Sequence, residues 1–180
     1  MPSQVVAVHA SARHSFSKQA LSEIELIAGQ GVQGDSHSGV TVQHLSRIAK
    51  DPTQPNLRQV HLLQEDLLAT LKAQGYDVQP GQIGENITTR GLDILGLSAG
   101  TQLKFGEEVI LQVTGLRNPC TQIESFRTGL LAAVLGRAED GTLIRKAGVM
   151  CVVEQGGKVR AGDSIVVVAQ PLAHIPLQPV

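Results

Sequence analysis

The chain has 180 residues and a formal net charge of −1 at pH 7, with 42% hydrophobic and 17% charged residues. That composition is globular and long enough for one domain with a full core, and it excludes a disordered chain. With three Phe, one Tyr and no Trp, it has neither the basic excess nor the stacking aromatics of a nucleic-acid binder.

In chain order, "QVVAVHAS" (Gln4–Ser11) is apolar and β-branched and predicts a first strand. It lacks a signal-peptide core, and no apolar run in the chain approaches membrane-spanning length, so a soluble, cytoplasmic protein with no membrane partner is expected. "LSEIELIAG" (Leu21–Gly29) alternates, with Ile24, Leu26 and Ala28 on one face. "GVQGDSHSG" (Gly31–Gly39) follows. It is not a phosphate-binding P-loop, because GxxxxGK[ST] is absent. It reads either as a polar turn or as a backbone that can approach a ligand, with Gly34, Asp35, His37 and the following His44 as candidates. "AKDPTQPNLR" (Ala49–Arg58) reads as a long surface loop.

"LRQVHLL" alternates again as a strand. In "HLLQEDLLATLKAQG", Leu63, Leu67, Leu68 and Leu71 predict the buried stripe of a helix that stops at Gly75. "GQIGENITTRGLDI" (Gly81–Ile94) predicts a turn through Gly84, Glu85 and Asn86, with Asn86 bonding its own backbone. Arg58 and Arg90 are candidate anion contacts, since a guanidinium grips phosphate through two donors. "TQLKFGEEVILQVTG" predicts a hairpin turning at Gly106–Glu107. "RTGLLAAVLGR" predicts a second helix with a stripe of Leu130, Leu131, Val134 and Leu135, ended by Gly136. "AGVMCVVEQGGKVRAGDSIVVV" predicts another hairpin, turning at Gly156–Gly157, and "RAGD" a tight connection into the last strand. Many short strands, glycine turns and few helices predict a mainly β fold, closed or nearly closed into a barrel.

"TGLRNPCTQIE" (Thr114–Glu124) holds Cys120, one of two cysteines. Pro119 restricts the backbone before it, and Thr121 and Glu124 have the spacing of a capping box. That spacing puts Cys120 one residue before a helix N-cap, with Arg117 and Asn118 nearby, an environment that favours thiolate. The bland alternative is a small buried hydrophobe. Cys151, in "GVMCVVE", reads as the inert buried thiol. No CxxC and no zinc-finger histidine pair occur, so two free thiols are expected, although the sequence leaves a disulfide between them open.

"GVQGDSHSG", "RQVHLL", "GENITTRGLDI", "GTQLKFGE", "VTGLRNPCTQIE" and "GVMCVVEQGGKVRAGD" occur in the order found in MOSC domains, named after the C-terminal part of molybdenum cofactor sulfurase. The chain resembles a stand-alone, single-domain member of that family, with the core over about residues 5–168 of 1–180. The resemblance implies a β-barrel like the pyruvate kinase barrel domain and one functional cysteine, which matches Cys120. It also implies a link to the molybdenum cofactor, by binding it or handling its sulfur, and in some members reduction of N-hydroxylated compounds such as base analogues. Asp35, Gly84, Glu85 and Asn86 match family positions and are expected to shape the site. The "DSHSGVTVQH" loop is shorter than the His-Gly-Gly segment of some stand-alone reductases. The pyridoxal-phosphate domain of the larger sulfurases has no room here, so that cofactor is not expected.

Three functions follow. In the first, Cys120 ligates the molybdenum of a pterin cofactor, and His37 or His44 supplies a proton while a small N-hydroxylated substrate is reduced. Gly34, Asp35, Arg58, Gly84, Glu85, Asn86, Arg117 and Asn118 line the cofactor pocket, and electrons come from a separate protein. In the second, Cys120 carries a persulfide sulfur delivered by a cysteine desulfurase. In the third, the chain is a binding module and Cys120 packs. Oligomeric state is not legible.

Overall fold

Met1–Val180 are all described in a computed structural model. Strands and isolated bridges make up 36% of the residues and helices 13%, so the fold is mainly β as expected. The elements are β1 (Gln4–Ala10), β2 (Gln19–Leu21), β3 (Glu23–Ile27), β4 (Gly31–Val32), α1 (Leu45–Ile48), β5 (Val60–Gln64), α2 (Glu65–Ala73), β6 (Ile87–Arg90), β7 (Gln102–Phe105), β8 (Val109–Leu116), α3 (Thr121–Phe126), α4 (Leu130–Ala133), β9 (Leu135–Arg137), β10 (Leu143–Arg145), β11 (Val149–Gln155), β12 (Gly157–Arg160) and β13 (Ile165–Ala169).

Eight strands form one mixed sheet in the order β13-β7-β8-β11-β5-β6-β1-β2. Within it β5 and β6 run parallel, with Leu62 opposite Ile87. The terminal strands β13 and β2 do not pair, so the ladder does not close fully into the expected barrel, although the Gly162 N–H donates to Val5 O at 2.8 Å and the Ile165 N–H to Ser3 O at 2.9 Å across the gap between β1 and the start of β13. The nearest approach to closure is local: Gln4 bridges Ser164, and the Val5 N–H donates to Asp163 O at 2.8 Å. A three-stranded sheet, β12-β3-β4, covers the larger one.

Alternation explains the main core. On β3 it turns Ile24 and Leu26 inward, and on β8 it does the same for Val109, Leu111 and Val113. They meet Val5, Val8, Leu62, Phe105 and Val153 between the two sheets. Cys151 is sealed in this core, and both cysteines are free. The predicted hairpin over Gly106–Glu107 forms, with Phe105 opposite Val109. The one over Gly156–Gly157 does not. The edges of β11 are taken by β8 and β5, so β12 crosses over and pairs with β3. Gly156 makes the crossing possible, because a Cβ there would run into Leu26 O.

A smaller core lies beneath α2, α3 and α4, joining Leu67, Leu68 and Leu71 to Ile83, Ile123, Leu130 and Val134. Leu63 belongs to it but stands on β5, one element before the predicted helix. The second predicted helix is a single turn. Leu135 and Gly136 leave it because pairing with Leu143–Arg145 captures their backbone as β9. No helix is long and apolar enough to cross a membrane.

Candidate active site

A cleft of about 580 Å³ opens where the turn before β6, the β8–α3 junction and the 37–58 excursion converge. That size suits a small-molecule site. Cys120 lies on its wall, half-buried, with Sγ 3.6 Å from Gln122 Oε1. It is itself the N-cap of α3, one position from the expected place. The Thr121–Glu124 capping box does not form. The Glu124 carboxylate instead accepts from the Gly129 N–H at 2.9 Å and the Leu131 N–H at 3.3 Å, tying α3 to α4. What fixes Cys120 is Ile123, fully buried in the smaller core one turn on.

Two guanidiniums face the sulfur. Arg117 is 8% exposed. Its Nη1–H donates to Ile83 O at 2.7 Å, and its guanidinium lies 5.7 Å from the centroid of the Phe16 ring. Burial lowers its pKa, opposed by the Cys120 sulfur and the Glu85 carboxylate. Arg58 lies further along the wall, with its Nε buried and without a hydrogen-bond partner. Burial first, then Arg47 and Arg117, pull its pKa down to about 10, and Cys120 is the group that opposes them.

Lys18, Arg47 and Lys50 complete a set of five cations on the lining, and no carboxylate joins them there. The acids lie behind. Asp35 accepts from Lys18 Nζ at 2.7 Å through both oxygens, from the Ser11 N–H at 3.0 Å and from the His37 N–H at 3.1 Å. Burial works to raise the Asp35 carboxyl, but the hydrogen bonds and charge of His37 and Lys18 outweigh it and hold it well below the usual range.

His14, His37 and His44 follow one another along the wall, with ring centroids 5.6 and 6.1 Å apart. Burial and the nearby cations depress His37, and they bring His44 to about 4. Both rings are therefore neutral at pH 7 and placed to accept protons. His61 forms part of the floor, its Nε2–H donating to Ala147 O at 2.7 Å.

The structure thus gathers Cys120, His37, His44, Arg58, Gly84, Asn86, Arg117 and Asn118 on one cleft. Gly84, at φ +94, lets the wall pass close to Phe16 O, which a Cβ would meet at 2.6 Å. Asn86 bonds other strands rather than its own turn: Oδ1 accepts from the His61 N–H at 3.0 Å and Nδ2 donates to His9 O at 3.2 Å. Asn118 Oδ1 accepts from Arg145 Nε at 3.1 Å. Three of the expected residues do not line the cleft. Gly34 sits in the turn after β4, Asp35 lies behind Lys18, and Glu85 is fully buried, accepting from the Gly81 N–H and Thr88 Oγ1. Arg90 is no anion contact, because Glu65 pairs with it. Lys18, Arg47, Lys50 and His61 were not singled out in the sequence. For His44, Arg47 and Lys50 a signal existed: steps of three place them on one side of a helical turn.

The family model described as the MOSC domain matches residues 41–166. YuaD of Bacillus subtilis, a protein named for metal-sulfur cluster biosynthesis, is 28% identical over 163 residues, covering 84% of this chain and 82% of that protein. The crystal structure of YuaD superimposes with a TM-score of 0.75 at 23% identity, over 92% of this chain and 94% of that one. YiiM from Geobacillus stearothermophilus gives a TM-score of 0.68 at 17% identity, over 97% and 80% of the two chains.

Proposed function

Because the chain belongs to the MOSC domain family, we propose that its cleft binds the molybdenum cofactor through Cys120 and reduces N-hydroxylated small molecules. The observation that carries this reading is a single half-buried thiol flanked by Arg117 and Arg58 on a lining with no carboxylate. No three His, Cys, Asp or Glu residues group to hold a metal ion by themselves. A metal brought in by a pterin's sulfurs needs only one further soft donor, and the Cys120 thiolate is of that kind. The residues present therefore fit the group. Arg58 and Arg117 neutralise its phosphate, Asn86 and Asn118 supply polar contacts, and Gly84 lets the wall come close. The cofactor, when bound, supplies the two-electron redox chemistry. His37 and His44, neutral beforehand, accept hydrogen bonds from a substrate N–OH and gain protons as negative charge enters.

A second reading is favoured by the name of YuaD and by the partial exposure of Cys120. Here the Cys120 sulfur, flanked by Arg117 and Arg58, carries a persulfide sulfur from a cysteine desulfurase to a metal–sulfur centre under assembly. One preparation separates the two. Protein purified from a cell that makes molybdenum cofactor is assayed for molybdenum and for cyanide-labile sulfur, with Cys120→Ser beside it. Stoichiometric molybdenum that disappears in Cys120→Ser is the expected result. Labile sulfur without molybdenum moves the assignment to sulfur transfer. If neither is present, both readings fail.

A further inference from the structure

The chain leaves the site at Val40 and returns at Asn56, forming a flap closed at its base. Thr41 bridges Pro55, the Val42 N–H donates to Gln54 O at 2.9 Å, and the Asn56 N–H donates to Val40 O at 3.0 Å. Asn56 Nδ2 adds a bond to Gly39 O at 2.9 Å. The short helix on the flap, α1, buries no side chain, so packing does not explain what it presents to the cleft. What it presents is charge, for His44, Arg47 and Lys50 all line the cleft from this flap.

Neither Arg47 nor Lys50 has an acidic partner. The ion pairs of the protein use Lys18, Arg90, Lys158 and Arg160. The one acid on the flap, Asp51, is turned to Thr53, accepting from its N–H at 3.0 Å and its hydroxyl at 2.6 Å. Arg47 therefore bears on Arg58 as an unrelieved like charge and disfavours protonation of His44.

We propose that the flap carries a second anion subsite, in which Arg47 and Lys50 hold the phosphate of a phosphomonoester substrate while its other end reaches toward Cys120. Two uncompensated cations match the two charges of a phosphomonoester, where a carboxylate would leave one unmatched. The phosphate then lies at the outer side of the cleft, and Arg58 and Arg117 remain for the inner occupant. The proposal rests on the preceding reading for what that occupant is.

Calorimetry on protein from a cofactor-producing cell tests it, with adenosine 5′-monophosphate and adenosine as probes and the Arg47→Gln/Lys50→Gln double variant beside the wild type. Molybdenum content is measured on both preparations. The expected result is at least tenfold tighter binding of the monophosphate, lost in the double variant, with molybdenum and adenosine binding unchanged. The proposal is overturned if the two probes bind alike or not at all, or if the double variant keeps the preference. It is equally overturned if the double variant loses molybdenum, since the flap cations would then serve the cofactor. A wild type without molybdenum, but with a preference carried by Arg47 and Lys50, sinks the cofactor reading and leaves the subsite standing.

Discussion

Cys120 lies half-buried against Arg117, whereas Cys151 is sealed in the main core, where burial alone pushes its thiol far up. A thiol reagent such as Ellman's should therefore titrate one cysteine of the native protein and two after unfolding. The Cys120→Ser protein should show none until unfolded; rapid native labelling of Cys151 would contradict the placement. Asp35 gives a second prediction. Asp35→Asn leaves the Lys18 ammonium buried without its counter-charge, and breaking a buried pair in this way costs about 3–5 kcal/mol. A denaturant midpoint equal to the wild type's would show that the pair contributes nothing. At this scale the proline-cysteine junction was legible in the sequence, and so was the contrast between the two thiols. The capping box was not, because Glu124 finds better donors in Gly129 and Leu131, which only tertiary packing brings within reach.

Between elements, the decisive contacts are those that hold α3 and that let β12 cross. Ile123 anchors α3 in the smaller core. Ile123→Ala should cost about 2–5 kcal/mol, and it should also loosen Cys120, read as lost molybdenum or labile sulfur in protein that remains folded. Gly156→Ala should cost roughly 1–3 kcal/mol, because the added methyl meets the backbone of β3, which cannot turn aside as a side chain can. An unchanged thermal midpoint would remove that reason for the crossing. Strands with clean alternation, such as β3 and β8, were legible because one buried face imposes a period of two. The partner of β12 was not, because a glycine pair between two apolar runs signals a turn equally well whether the runs pair with each other or with distant strands.

Across the whole molecule, charge is segregated. A chain with a net charge of −1 concentrates five cations on one cleft. The pH dependence of stability follows from the histidines that this arrangement holds neutral. Burial comes first and cations second in depressing His44 from its ordinary 6.5 to about 4, and in lowering His37 and His61. Below pH 6.5 the unfolded chain takes up protons that the folded chain refuses, so these groups cost stability as pH falls toward 4. The thermal midpoint should decline over that window, and His44→Gln should make the decline shallower. A wild-type midpoint unchanged across it would contradict the burial of the three rings. A bound phosphate ester should oppose the decline, because an anion beside Arg47 lifts His44 back toward its ordinary value.

By itself the sequence determined that the fold is mainly β, which faces of its strands are buried, which cysteine is structural, and the family through the order of its motifs. These are local matters, set by side-chain period, turn chemistry and residues adjacent along the chain. Only the tertiary structure decided the order of the eight-stranded ladder and that β12 crosses to β3. It also decided that Asp35 and Glu85 stand behind the cleft, and that Lys18, Arg47 and Lys50 join Arg58 and Arg117 on it. Strand partners and local charge balance depend on residues far apart in the chain. A lysine or arginine looks the same in sequence whether an acid faces it across the fold or nothing does.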